Sequence, residues 1–359
     1  MLKVLFSALL GCALLGCATA KHHLEFGISQ GAVKVWPQAP ETARYRYVGE
    51  LTGEENFKSA AADASNFGVK LFSWIVGLTS AKYRPTILQR PQTGTVDELG
   101  NIYVTDASRQ AVYKFDRLQG TLQVWDMAAT DARMQSPVGI VSIPGGQMLV
   151  ADAGLGVVIR LDAEGKPLGF FGLGVLARPT GLARDEATGK IYVADTKSHD
   201  IKMFDRDGQL LGAFGGHGEA AGMFNGPTHL AFADGQLYVT DTFNARIQIF
   251  TAEGEFVRTF GRRGLNVGDL PRPKGVAVDN TGNIYVVESF YDRLLVFDSQ
   301  GDLLLSIGSN GAGVGQFYLP AGVWVDKQNR VYVADMFNGR VVIFQYLQSN
   351  KLDTQAALE

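Results

Sequence analysis

Short apolar runs of four to six residues, broken by polar turn clusters, fill this chain from about residue 43 to residue 346. Within a run the side chains alternate, as in KIYVAD, where Ile191 and Val193 oppose Tyr192 and Ala194. A period of two over so few residues predicts β-strands, not helices. Asp-Gly, Glu-Gly, Thr-Gly and Gln-Gly pairs between runs supply the positive φ of tight hairpins. The runs come in groups that repeat. Prolines open them at Pro91, Pro137, Pro179, Pro227, Pro273 and Pro320, and an acid ends the second run at Asp106, Asp152, Asp195, Asp241, Glu288 and Asp335. Both series step by roughly 42 to 48 residues. Four short strands per period of that length predict an all-β, six-bladed β-propeller.

The sixth group lacks a fourth strand. After Val341–Phe344 only YLQSNKLDTQAALE remains, and it is too polar for one. ARYRYVGELTGEENF, from Ala43, has the register of a fourth strand. It is expected to complete the last blade and close the ring, which removes a free sheet edge. The domain is therefore placed at 43–347, with a polar tail at 348–359. A helical insert is expected at about 55–85, where Phe67, Leu71, Trp74, Ile75 and Leu78 fall at helical spacing.

Composition changes this picture little. The 43 glycines read as turn punctuation, and 33 basic against 36 acidic residues give a formal net charge of -3. A near-neutral, exported chain disfavours nucleic acid as a partner. Export is read from the start. Lys3 precedes an apolar core from Val4 to Leu15, the length of a signal peptide and too short to span a bilayer. Leu14-Leu15-Gly16-Cys17 resembles a bacterial lipobox, which implies acylation of Cys17 after removal of 1–16. The Leu9-Leu10-Gly11-Cys12 alternative leaves a stunted core. Residues 17–42 read as a tether, and Ala18 resembles an outer-membrane sorting signal. Both cysteines lie in the leader, so no disulfide is expected in the mature fold.

The repeat itself, Pro-x-Gly-apolar-x-apolar-Asp … Gly-Asn-Ile-Tyr-Val-x-Asp … Asn-x-Arg-apolar-x-apolar-Phe, resembles the NHL repeat. DTFNARIQIF, ESFYDRLLVF and DMFNGRVVIF match best. The resemblance implies fold more than activity. NHL-like propellers include RNA binders, sensor domains, the peptidyl-amidoglycolate lyase domain and bacterial lipoproteins.

Candidate chemistry follows from departures from the repeat. Asp241, Glu288 and Asp335 each precede an arginine by five residues (Arg246, Arg293, Arg340), a spacing that predicts turn-locking ion pairs. The fourth-to-first and second-to-third connections share one end of the ring, the upper face. Along the inner strands the spacing aligns Gly94, Gly139, Gly181, Gly275 and Gly322 at one narrow point, with His229 as the exception. His199 and His217 belong to upper-face loops nearby. These three are the metal candidates, for zinc or calcium, although one channel histidine falls short of the several that the lyase relatives use. No cofactor is the main expectation. Arg90, Arg178 and Arg272 stand before repeat prolines, and Lys274 lies beside them. A basic channel mouth would suit an anionic small molecule or an acidic loop of a cell-envelope protein; a local pairing of each arginine with a repeat acid is the plainer reading. The main functional expectation is a monomeric, lipid-anchored, non-catalytic binding platform at the outer membrane. The alternative is a metal-assisted lyase or hydrolase resembling amidoglycolate lyase or lactonase propellers.

Overall fold

The computed structural model describes residues 22–27, 34–59 and 85–347. Six antiparallel sheets stand around a central channel, and each is one blade. Blade 3 shows the plan. Its inner strand (Pro179–Arg184) pairs with the second (Ile191–Asp195), then the third (Asp200–Phe204) and the outer fourth (Leu210–Gly215). Blades 1, 2, 4 and 5 repeat it, starting at Pro91, Pro137, Pro227 and Pro273.

Blade 6 is closed as expected. Val323–Val325, Arg330–Asp335 and Arg340–Tyr346 are joined by Tyr45–Leu51, which pairs with Arg340–Tyr346 from Val341↔Leu51 to Tyr346↔Tyr45. The N-terminal region does more than close the ring. Val35–Trp36 adds a fifth strand outside Tyr45–Leu51, and His22–Leu24 pairs with Phe57–Ser59. Much of the stretch expected as a free tether is thus laid on the propeller. Of the helical insert expected at about 55–85, the first residues instead form the strand Phe57–Ser59, and residues 60–84, with Trp74, lie outside the described residues, as does Cys17.

The all-apolar second strands have a simple cause. Each is buried on both faces, and its alternation serves two interfaces. Ile191 and Val193 pack toward blade 2, while Tyr192 and Ala194 pack toward blade 4. Ile284 and Val286 face blade 4; Tyr285 and Val287 face blade 6. Every blade interface holds one such cluster, so the core is a ring of six wedges. Burial of each large side chain contributes about 1.5–3 kcal/mol.

Repeat prolines pair with repeat acids, as in Pro179↔Asp195 and Pro227↔Asp241. Both therefore lie at the upper end of the ring. There the acids tie loops together. Asp152 accepts hydrogen bonds from the backbone N–H groups of Gln135, Ser136, Gly154 and Leu155 at 2.7–3.0 Å, so one carboxylate fixes two connections. The predicted ion pairs Arg246–Asp241 (2.8 Å) and Arg340–Asp335 (2.9 Å) form. Arg293 does not pair with Glu288; its guanidinium lies 5.8 Å from the Tyr291 ring. Glu288 is satisfied by the backbone N–H groups of Arg272, Phe290 and Tyr291. In blade 3 the missing arginine is replaced by Lys202, 3.3 Å from Asp195 and 2.7 Å from Asp200.

Candidate functional site

The inner strands enclose a channel cavity of about 210 Å³. Strand register corrects one alignment made from spacing. Gly94 pairs with Val104, as Leu182 pairs with Val193, so Gly94 lies one residue below the glycine level. Thr93 occupies that level in blade 1, and His229 is one of two exceptions to glycine. The reason for glycine also differs from an open channel. A Cβ on Gly181 would stand 2.7 Å from the Thr228 carbonyl oxygen and 2.9 Å from the His229 Cα. Glycine at this level lets neighbouring inner strands touch. Gly94 makes room for something else, the Trp324 indole, which a Cβ would meet at 2.5 Å. Trp324 lines the channel, stacks on Tyr332 at 5.5 Å, and has no hydrogen-bond partner for its buried Nε1. Nothing in its local sequence marked it.

His229 sits in the channel wall within a hydrogen-bond chain that fixes its tautomer. The Thr242 hydroxyl donates to the Pro273 carbonyl at 3.0 Å. Its single hydrogen is thereby used, so across the 2.8 Å contact between Thr228 and Thr242 the donor is Thr228. With that donor order Thr228 accepts from the His229 Nδ1–H, 3.1 Å away, and every hydroxyl in the chain is satisfied. The proton is on Nδ1, and Nε2 carries a bare lone pair. That Nε2 is buried without a partner. Burial, and then the Lys274 ammonium, bring the imidazole down to about 3. It is neutral at physiological pH.

Lys274 lies on the next inner strand. Burial, and secondarily the charge of Arg272, hold its ammonium below the usual lysine range. Arg90, Arg178 and Arg272 have exposed side chains at the upper mouth. Local pairing with the repeat acids involves their backbone and not their guanidinium groups: their N–H groups donate to Asp106, Asp195 and Glu288. The Arg90 guanidinium stands 5.0 Å from the Phe337 ring. His199 and His217 meet each other at 4.6 Å between ring centroids, and His199 Nδ1 accepts the Gly226 N–H at 3.0 Å. They do not join His229 in a triad. Among the described residues no group of three His, Cys, Asp or Glu is placed to hold a metal ion. The charge acting on His229 is that of Lys274, which repels cations. His199, His217 and His229 therefore do not supply the three converging ligands of a zinc site.

A family model described as a 6-bladed beta-propeller matches residues 269–357, and the NHL repeat model matches residues 176–204. The chain has an NHL-repeat, six-bladed β-propeller fold. No curated protein matches it. Among solved structures it is similar to a streptogramin B lyase, with 15% identity, a TM-score of 0.55, and coverage of 72% of this chain and 94% of that one. It is also similar to virginiamycin B lyase from Staphylococcus aureus, solved as a catalytically inactive histidine-to-alanine variant with quinupristin. There the identity is 12%, the TM-score 0.56, and the coverage 93% and 98%. A gluconolactonase from Xanthomonas campestris is similar at 16% identity, with a TM-score of 0.53 and coverage of 73% and 90%. At these identities the likeness is one of fold. It nevertheless corrects two expectations, that of a platform without chemistry and that of a chain more readily read as no enzyme. The scaffold is one on which lyases and a lactonase are built.

Proposed function

We propose that this chain is an enzyme of the lyase or lactone-hydrolase type, with the channel at His229 as its centre. The observation that carries the reading is the Nε2 lone pair of His229, buried, unpartnered and held in one tautomer by Thr228 and Thr242. An unpaired buried acceptor costs about 1–3 kcal/mol, a cost tolerated where the group has chemistry to do. The similar virginiamycin B lyase is catalytically inactive when a histidine is replaced by alanine. As general base, Nε2 takes the proton next to a substrate carbonyl, the negative charge developing beside it offsetting the burial and the Lys274 charge that otherwise keep the imidazole unprotonated. The freed electron pair forms a carbon–carbon double bond as the bond to the leaving oxygen breaks, and the His229 proton passes to that oxygen. The Lys274 ammonium stabilises the negative charge that develops on the carbonyl oxygen. In the hydrolytic variant the same lone pair deprotonates a water that attacks the carbonyl.

The test is turnover of a panel of cyclic esters by purified protein. His229→Ala should lower kcat/KM by 100-fold or more with an unchanged melting temperature. Reaction in ¹⁸O water separates the routes, since hydrolysis incorporates solvent oxygen and elimination does not. No turnover of any panel member, or full activity of His229→Ala, overturns the proposal.

Anchoring belongs to the same proposal. Export and acylation at Cys17 are supported by Lys3, the apolar run Val4–Leu15 and the Leu-Leu-Gly-Cys ending. A multiply acylated cysteine would hold a monomer at the outer membrane, facing periplasm or cell surface. Cys17→Ser should move the protein to the soluble fraction and abolish fatty-acid labelling; Cys12→Ser should do neither.

A further inference from the structure

Beside the channel mouth, between blades 4 and 5, lies a cleft of about 530 Å³. Its wall includes Phe243, Leu265, Phe290, Tyr291, Arg263 and Arg272. Three of these are large apolar side chains left open: Phe243 is 57% exposed, Phe290 60% and Leu265 85%. The repeat explains the phenylalanines. Each stands two residues after a repeat acid, in a second-to-third turn of the upper face. Phe290 and Tyr291 meet edge to face at 5.0 Å, which fixes a rigid aromatic corner.

The charge at this mouth is one-sided. Three acids of its second-to-third turns, Asp241, Glu288 and Asp292, are engaged by the fold. Asp241 is held by the Asn225 N–H and Arg246, Glu288 by three backbone N–H groups, and Asp292 by the Leu319 N–H and Asn310. Arg262 pairs with Asp269, and Arg263 donates to the Phe243 carbonyl. Arg263 and Arg272 both line the cleft and make no ion pair among the described residues, and the Arg272 guanidinium makes no hydrogen bond there either. Two arginines without a counter-ion on the wall of an open apolar cleft call for an anion with an apolar body.

We infer that the cleft between blades 4 and 5 is a binding site for an amphipathic carboxylate, whose aromatic or acyl body lies against Phe243 and Phe290 and whose carboxylate is met by Arg263 and Arg272. This rests on the reading of His229 as the reacting centre only for its consequence, that the bound acid is the substrate and its reactive bond reaches into the channel. Binding itself is independent of that reading. The Arg272 side chain is free for the task because its structural duty, the cap on Glu288, belongs to its backbone N–H.

Calorimetric titration with 1-naphthylacetate, its neutral analogue 1-naphthylacetamide, and acetate tests the site. The carboxylate should bind at least tenfold more tightly than the amide, and acetate more weakly than either. Arg272→Gln and Arg263→Gln should each weaken naphthylacetate tenfold or more and remove the preference over the amide. Phe290→Ser should weaken both naphthyl ligands by a similar factor. Arg206→Gln, a substitution at an exposed arginine outside the cleft, should change neither. Equal affinity for carboxylate and amide, or a preference that survives Arg272→Gln and Arg263→Gln, overturns the inference. His229→Asn separates the two readings: it should leave naphthylacetate binding intact while removing turnover. Loss of binding in His229→Asn with none in Arg272→Gln would place the anion in the channel and overturn the cleft assignment.

Discussion

A neutral histidine enclosed in a protein records its cost in the pH dependence of stability. The unfolded chain protonates His229 near 6.5, whereas the folded chain resists down to about 3. Between those values the unfolded state binds the additional proton, so stability must rise with pH across that window and be lost as pH falls through it. The groups that set the shift are the enclosing inner strands and the Lys274 ammonium. Comparison with His229→Asn isolates the effect from carboxylate titration, which dominates below pH 5. Chemical denaturation at pH 6.5 and 5.0 should show the native protein losing up to about 2 kcal/mol more than the variant. Equal losses would mean that the imidazole is more solvated than its surroundings imply. The same residue scale shows where spacing misleads. Gly94 and Gly139 both follow a repeat proline closely, yet blade 1 has one additional residue before its glycine. Counting from the proline already separates them, and the pairing of Gly94 with Val104 shows that Thr93 shares the level of His229.

At the scale of the element, the unit that matters is the turn held by a repeat acid. Asp106 and Asp152 each accept four backbone N–H groups drawn from two different connections. The carboxylate thus replaces an arginine lock in the blades that lack one. Asp152→Asn keeps the size of the side chain but turns one acceptor into a donor facing buried N–H groups. A loss of about 2 kcal/mol or more is expected in urea unfolding, against under about 0.5 for Asp207→Asn on the exposed turn of blade 3. The position of these turns was legible in the chain, because the acid ends an apolar run at every period. Their chemistry was legible only in part. Arg246 and Arg340 reach their acids across the turn, but Arg293 lies against Tyr291 instead, and a spacing of five residues does not distinguish the two outcomes. The exposed phenylalanines were visible as letters of the repeat, in DTFN, ESFY and DMFN. Their exposure was not, since an aromatic after an apolar strand reads equally well as core. Trp324 in the channel had no signal at all: it fills a gap that exists because a different blade carries Gly94.

At the scale of the whole molecule, stability belongs to the ring and not to any blade. Each second strand contributes to two apolar clusters, one on either side, so no blade owns a complete core. Opening one interface exposes two faces. The closing strand is the test of that coupling. Tyr45, Tyr47 and Leu51 are buried, Tyr45 meets Tyr285 of blade 5 through a 3.1 Å hydroxyl contact, and Glu50 pairs with Arg340 at 2.8 Å. One strand from the start of the chain therefore holds blade 6 to itself, to blade 5 and to the turn lock of Asp335. Deleting residues 43–52 bares the length of Arg340–Tyr346 as an unpaired edge. It also leaves the blade 5–6 cluster open to water. The truncated chain should melt at least ten degrees below the intact one, in a transition that is broader or split, and should associate through the bared edge on size-exclusion chromatography. A melting temperature within about two degrees of the intact protein would mean that the ring does not depend on this closure, and that six wedges hold without the seventh segment that the sequence places among them.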